Sequence, residues 1–278
     1  MNQREAVATF HALHATGCFV LPNPWDVGTA LHLQQLGFKA LATTSAGFAF
    51  SRGLPDDPTV LTCEDVLSHV REIAHATPLP VNADFQSGYA DDAEAVGANV
   101  ARCVASGCAG LSIEDASGDG GAPLFPLPVA LERLRAARAA IDAAGIPVVL
   151  TARCEAWLVG QPEPFRVARE RLAAFAAAGA DCLYAPGARE PGEIEALVRE
   201  VAPKPVNVLV YAGNAELTVT RLADLGVRRI SVGAALARVA WGAFLRSARE
   251  IAATGSFESF RDGARSPDPD GLFRPGGA

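Results

Sequence analysis

The sequence predicts a (β/α)8 barrel, and three observations carry that prediction. Eight short apolar segments, each running into polar residues, alternate with amphipathic helical stretches, a grammar that implies a parallel sheet with both faces covered. Gly17, Gly37, Gly107, Gly145, Gly179 and Gly226 stand between a helical stretch and the next strand, where a helix ends in a left-handed residue. After the first strand, "LPNPWDVG" lacks G-x-G-x-x-G, which disfavours the doubly wound open sheet that the same alternation would allow.

In chain order the strands are "CFVLPN" (18–23), "KALATTS" (39–45), "LPVNAD" (79–84), "GLSIED" (110–115), "PVVLTAR" (147–153), "CLYAP" (182–186), "PVNVLV" (205–210) and "RRISVG" (228–233). Helical spacing is clearest in two stretches. Val96, Val100, Cys103 and Val104 share one face, as do Leu131, Leu134 and Ile141. The last helix is broader. Leu236, Val239, Trp241, Phe244, Leu245 and Ile251 cover more than one stripe, which predicts burial against another subunit. The reading is one barrel domain over 1–253 and a Pro/Gly-rich tail over 254–278 that wraps a surface or frays.

Composition narrows the function. A net charge of -7 with 20% charged residues offers no basic stripe for a phosphate backbone, so nucleic acid is excluded as a partner. No run reaches membrane-span length and the N-terminus has no apolar leader core. A cytoplasmic protein with no membrane partner is expected. The six cysteines show neither C-x-x-C nor metal spacing and read as reduced thiols.

In a barrel, the C-terminal strand ends meet in one mouth where chemistry is placed. Those ends carry Asn23 and Asp26, Thr43, Thr44 and Ser45, Asn82 and Asp84, Glu114 and Asp115, Arg153 and Glu155, Pro186, Asn207 and Gly233. Oxygen ligands of this kind suit Mg2+ or Mn2+. None of the five histidines lies at a strand end, so zinc is not expected. Lys39 and Lys204 are the only lysines and both precede strands. Neither can form a Schiff base in the mouth, which leaves a metal to take up enolate charge. Each group also has a bland reading, as a helix cap, a turn hydroxyl or a structural ion pair.

Taken together, "LATTSAGFAFSRGLPD", "VNADFQSGY", "GLSIED" and "VVLTARCEAW" resemble the isocitrate lyase/phosphoenolpyruvate mutase superfamily from about Asn23 to the last helix. The resemblance implies that Thr44, Ser45 and Ala46 hold a substrate carboxylate and that Asn207 is a further substrate contact. Asp84 and Glu114 match the acidic Mg2+ site, with Asn82 where a third aspartate is usual. Arg153 and Glu155 match the A-R-x-E/D motif, whose arginine binds substrate. Asp56 matches an aspartate of the mobile loop after strand two. A homo-oligomer, dimer or tetramer, with the eighth helix exchanged between subunits is implied as well.

The departures set the expected subtype. The loop after strand four reads "EDASGDGGAPLFPL", without the K-K-C-G-H of isocitrate and methylisocitrate lyases or the lysine and asparagine of phosphonomutases. Gly118, Gly120 and Gly121 suggest a pliable lid. Two extra residues precede Gly88, which leaves Gln86 without an assigned role. The expected activity is Mg2+-dependent carbon–carbon cleavage or decarboxylation of a small 2-oxo or 2-hydroxy dicarboxylic acid, since departing CO2 needs no acid from the lid. Two alternatives stay open: phosphorus–carbon chemistry, a phosphonomutase or phosphonopyruvate hydrolase, and a non-catalytic barrel that binds an oxo acid.

Overall fold

The computed structural model describes residues 2–214, 216–264, 271 and 273. Eight parallel strands form one sheet: β1 (Phe19–Leu21), β2 (Leu41–Ala42), β3 (Val81–Asp84), β4 (Gly110–Glu114), β5 (Val149–Arg153), β6 (Cys182–Tyr184), β7 (Val206–Leu209) and β8 (Arg229–Ser231). Neighbours follow chain order, and β8 pairs with β1. The seam between β1 and β2 closes through Ala42 N–H donating to Pro22 O at 3.1 Å and the Asn23 amide donating to Thr43 O at 2.9 Å. The predicted α/β barrel is therefore present, and every predicted strand is found.

The helices are α1 (Gln3–Ala15), α2 (Val27–Gln35), α3 (Ser45–Ser51), α4 (Cys63–Ala76), α5 (Ala93–Ala105), α6 (Leu127–Ala144), α7 (Pro164–Ala177), α8 (Pro191–Val201), α9 (Val219–Asp224) and α10 (Ala235–Thr254). Side-chain caps start several of them, reciprocally in Asn2 with Glu5 and Thr62 with Asp65. Asp26 behaves the same way. It caps α2 with Thr29 and does not face the mouth, so its place among the strand-end groups is corrected. The six glycines expected to stop helices all have positive φ, from 64° at Gly145 to 104° at Gly179.

Helix α1 lies under the barrel. Phe10 is fully buried, and a Cβ on Gly110 would come within 2.7 Å of its ring and 2.9 Å of Asn82 Oδ1. Only glycine lets the plug and β4 approach that closely. Val96, Val100, Cys103 and Val104 are all buried, as are Leu134 and Ile141, while Leu131 is half-buried. The paired faces of α5 and α6 thus follow their sequence periodicity. α10 differs: Leu236, Val239, Trp241, Phe244 and Leu245 are exposed, and Ala237 alone is buried. The tail reading falls partly outside the described residues, which include a 3-10 turn at Glu258–Asp262.

Two buried histidines give the fold a pH dependence. His14 packs edge-on against Phe10 and Phe19, and its ring is pushed down to about 3, by burial first and then by Arg229. His69 stacks on Phe48 at 3.9 Å and is pushed down to about 4, mainly by burial. Both stay neutral in the fold while the unfolded rings charge below about 6.5. Stability is therefore full above that pH and is lost as pH falls toward 4 and 3, by about 2 kcal/mol per histidine at pH 5. His69→Phe keeps the stack and removes Nε2, which has no hydrogen-bond partner. Urea unfolding at pH 8 and pH 5 should show a smaller loss in this variant, by about 2 kcal/mol, than in the parent. Equal losses would contradict the assignment.

Candidate active site

The strand ends surround a cavity of about 290 Å³ at the C-terminal mouth. Period-two alternation turns Asn82 and Asp84, Ser112, Arg153, Tyr184, Asn207, Arg229 and Ser231 inward, and all of them line it. Thr44, Ser45 and Ala46 reach it from the start of α3, and Asp56 from the loop after it. Of the sequence-predicted site residues, Glu114 and Glu155 are not in the lining and sit around Arg153, and the strand-end groups Asp115 and Pro186 are absent from it as well.

Arg153 organises the charges. Its Nη1 lies 3.3 Å from Asp84 Oδ1 and 3.0 Å from Glu114 Oε2. Its Nε donates to Glu155 Oε1, and Nη2 donates to Oε2 at 3.0 Å. The forked pair fixes the guanidinium plane, which stands over the Tyr184 ring at 5.4 Å. Glu155 is fixed in turn. Its N–H donates to Asp115 Oδ1 at 2.8 Å, and Asp115 Oδ2 pairs with Arg171 of α7 at 3.0 Å.

Asp84 is held from the other side. Ser45 N–H and Ser45 Oγ both donate to Asp84 Oδ2 at 2.9 Å, while Asp84 N–H donates to Thr43 Oγ1 at 2.9 Å. Thr44 caps α3 by accepting from Gly47 N–H at 3.2 Å. Asn207 donates to Ser231 Oγ at 2.9 Å and accepts from Arg229 Nε at 2.9 Å.

Carboxylates outnumber the cations on this wall. Glu114 is pushed up to about 8 by burial first and then by Glu155, Asp84 and Asp115, with Arg153 opposing. Glu155 and Asp115 are raised by burial, and Asp56 by burial and then Asp84. Tyr184 is pushed up to about 12 by burial.

Among the described residues, no three His, Cys, Asp or Glu side chains cluster as a metal site. The predicted ligands are instead two carboxylates and an amide. Asp84 and Glu114 meet at one guanidinium nitrogen, and the buried Asn82 Oδ1 has no hydrogen-bond partner. Surplus negative charge and an orphaned amide oxygen suit a hard divalent cation that keeps water ligands.

The phosphoenolpyruvate phosphomutase family model matches residues 10–252. The chain belongs to the phosphoenolpyruvate mutase family. A Burkholderia cenocepacia J2315 crystal structure described as a lyase/mutase superposes with a TM-score of 0.94 at 42% identity, covering 98% of this chain and 97% of that one. An uncharacterized Mycobacterium tuberculosis (strain H37Rv) protein is 34% identical over 228 residues, 81% of each chain. The oxaloacetate decarboxylase of Chromohalobacter salexigens is 31% identical over 269 residues, 91% of this chain and 88% of its own. Members of the phosphoenolpyruvate mutase/isocitrate lyase superfamily include carbon–carbon lyases such as 2-methylisocitrate lyase, and they are typically Mg2+-dependent.

The loop after β4 folds on itself. Ala116 bridges Leu124, and Ser117 N–H donates to Pro123 O at 3.0 Å. The segment after β3 is also tied down. Arg133 of α6 donates to Asp91 O, Ser87 O and Ala90 O, each at 2.7 Å, and stacks over Phe125 at 4.3 Å. Gln86 takes φ 44°, and its carbonyl accepts from Glu114 N–H at 2.9 Å. Its backbone thus braces Glu114.

Sequence reasoning missed Arg229, Ser231, Tyr184, Tyr211 and Arg238 of the lining. Alternation within "RRISVG" and "CLYAP" carried the signal for the first three. Tyr211 and Arg238 come from a loop and a helix with no such period.

Proposed function

We propose that this family member is a Mg2+- or Mn2+-dependent lyase or decarboxylase that cleaves a carbon–carbon bond in a small 2-oxo or 2-hydroxy dicarboxylic acid, oxaloacetate being the simplest of the class. The observation that carries the reading is the gathering of cationic and acidic groups in the lining of one small cavity: Arg153, Arg229 and Arg238 share it with Asp84 and Asp56. A cavity of about 290 Å³ suits a short acid better than a dinucleotide. No lysine is in its lining, which removes the Schiff-base route.

In this reading Arg153 binds one substrate carboxylate, and its plane is set beforehand by Glu155, so that little ordering remains at the moment of binding. The Thr44 hydroxyl and the first-turn N–H of Ala46 offer donors on the facing side, where a helix start favours anions, and Ser45 joins them only on releasing the Asp84 carboxylate that its N–H and Oγ now hold. Asn207 contributes from β7, and Leu21, Leu158 and Leu209 supply apolar lining that limits water. Asp84, Glu114 and Asn82 would hold the cation, whose contribution when bound is to take up negative charge on the substrate carbonyl oxygen. The bond beta to that carbonyl breaks, its electron pair passes into the enolate, and CO2 leaves without a proton. A proton from water then completes the pyruvate-like product.

Oxaloacetate offered with Mg2+ should give pyruvate and CO2 at rates lost on chelation. Phosphonopyruvate turnover would favour the second reading, which rests on Asp56 facing Asp84 from the loop after α3. Tight diacid binding in calorimetry with no turnover of any 2-oxo or 2-hydroxy diacid would establish the binding-only alternative.

The exposed apolar face of α10 supports a homo-oligomer in which a second copy covers or exchanges that helix around a single barrel domain. Phe244→Glu is expected to convert it to a smaller species in sedimentation; an unchanged mass would refute the interface.

A further inference from the structure

Arg229 is only 2% exposed, yet it lines the cavity. Its partners are all neutral: Nε donates to Asn207 Oδ1 at 2.9 Å, Nη2 to Thr151 Oγ1 at 3.1 Å, and Nη1 lies 3.3 Å from His14 Nε2. Among the described residues no carboxylate pairs with it, in contrast to Arg153. Its sequence neighbour Arg228 points the other way and is half-buried, bonded to Gly17 O. A buried guanidinium without a counter-charge is unfavourable unless something anionic reaches it. Three of its N–H donors are used and two remain, one on each terminal nitrogen.

We infer that Arg229 is a substrate-binding residue at the base of the cavity, placed to hold the second carboxylate of a diacid whose first carboxylate is bound by Arg153. The inference rests on the proposed diacid reading and deepens it. Arg153 already carries Glu114, Glu155 and Asp84, so any charge it offers a ligand is shared. Arg229 has no such competition. A monocarboxylate anchored at Arg153 and the cation would leave the charge of Arg229 unanswered, so Arg229 selects diacids over monoacids rather than raising affinity for both. His14 supports this role as a neutral acceptor: burial, then Arg229 itself, holds its ring uncharged. Asn207 acts through Arg229 as well, because its amide joins the guanidinium to Ser231.

The probes are malonate and propionate, an unreactive diacid and its one-carboxylate counterpart, titrated by calorimetry into the full chain with Mg2+ present. Arg229→Met is expected to weaken malonate about 30-fold while propionate changes less than about threefold, since one charge-assisted contact is removed. Equal losses for both ligands, or no loss, would make Arg229 a structural brace and overturn the inference. Should the Met variant not fold, Arg229→Lys keeps the charge and loses the fork. It should weaken malonate about tenfold and leave propionate unchanged, and equal effects on the two again refute the role. Oxaloacetate turnover by the parent is measured separately. Arg229-dependent malonate selectivity without turnover would sink the lyase reading and leave the anchor standing; turnover with Arg229-independent selectivity would do the reverse.

Discussion

Arg153→Ala is expected to reduce diacid affinity by about 100-fold or more and, at the same time, to destabilise the fold by about 3–5 kcal/mol at pH 8. Sequence motifs alone point to a substrate ligand whose loss leaves the fold intact. The structure makes the second effect unavoidable, because Asp84, Glu114 and Glu155 all lean on this one guanidinium. Removing it leaves three carboxylates facing one another in a poorly hydrated wall. Glu114 and Glu155 are already raised by burial, with Arg153 opposing the rise; without Arg153 both rise further. A carboxyl raised above its unfolded value weakens the fold as pH climbs past the unfolded value near 4.5, and the loss is complete only above the folded value. The Ala variant should therefore be relatively better off at pH 5.5 than at pH 8. Denaturant unfolding at the two pH values, paired with malonate calorimetry, reads both effects. A variant with parental stability at pH 8 would show that the three carboxylates do not depend on Arg153.

Strand ends were legible because a barrel sends every strand's C-terminus to the same mouth, so once eight strands are read, position along the chain becomes position in space. That logic reached Arg153, Asp84, Asn82, Asn207 and the start of α3. It did not reach Arg229, although Arg229 is level with Asn207 and Phe19 in the ladder, because it lies near the start of its strand and not at the polar end. A strand written R-R-I-S-V-G alternates inward and outward, and Arg229 shares the parity of Ser231 and Gly233, so the signal was present two and four residues before the strand end. The residues behind Arg153 were hidden for another reason. Arg171 is a helical residue 56 positions from Asp115, and no sequence spacing announces a contact made by packing. Arg133 is similar: its side chain answers carbonyls of the turn after β3, and only the fold brings α6 to that turn.

Mg2+ binding at pH 7 is expected to release close to one proton, and Glu114→Gln is expected to remove that release. Glu114 is pushed up to about 8, so near neutrality the buried carboxyl is largely protonated, while a metal ligand must be the carboxylate. The cation therefore displaces the proton. The sign follows from the raised value: affinity for Mg2+ climbs with pH through the neutral range and flattens above about 8, and the released fraction shrinks over the same interval. Titrating Mg2+ in buffers of different ionisation enthalpy separates proton release from intrinsic binding heat, with no reliance on turnover. Asp84→Asn gives the contrasting outcome. It removes a carboxylate anchored by Ser45 and should weaken Mg2+ by about tenfold or more. Asn82→Asp runs the other way. It restores a third acidic oxygen beside the first two, and tighter Mg2+ with a less stable metal-free fold is expected, since the new charge would be buried under Asp84 with no partner on β4 but Gly110. Mg2+ binding that releases no proton at pH 7 and is indifferent to Glu114→Gln would place the cation elsewhere and separate the metal from the acidic wall around Arg153.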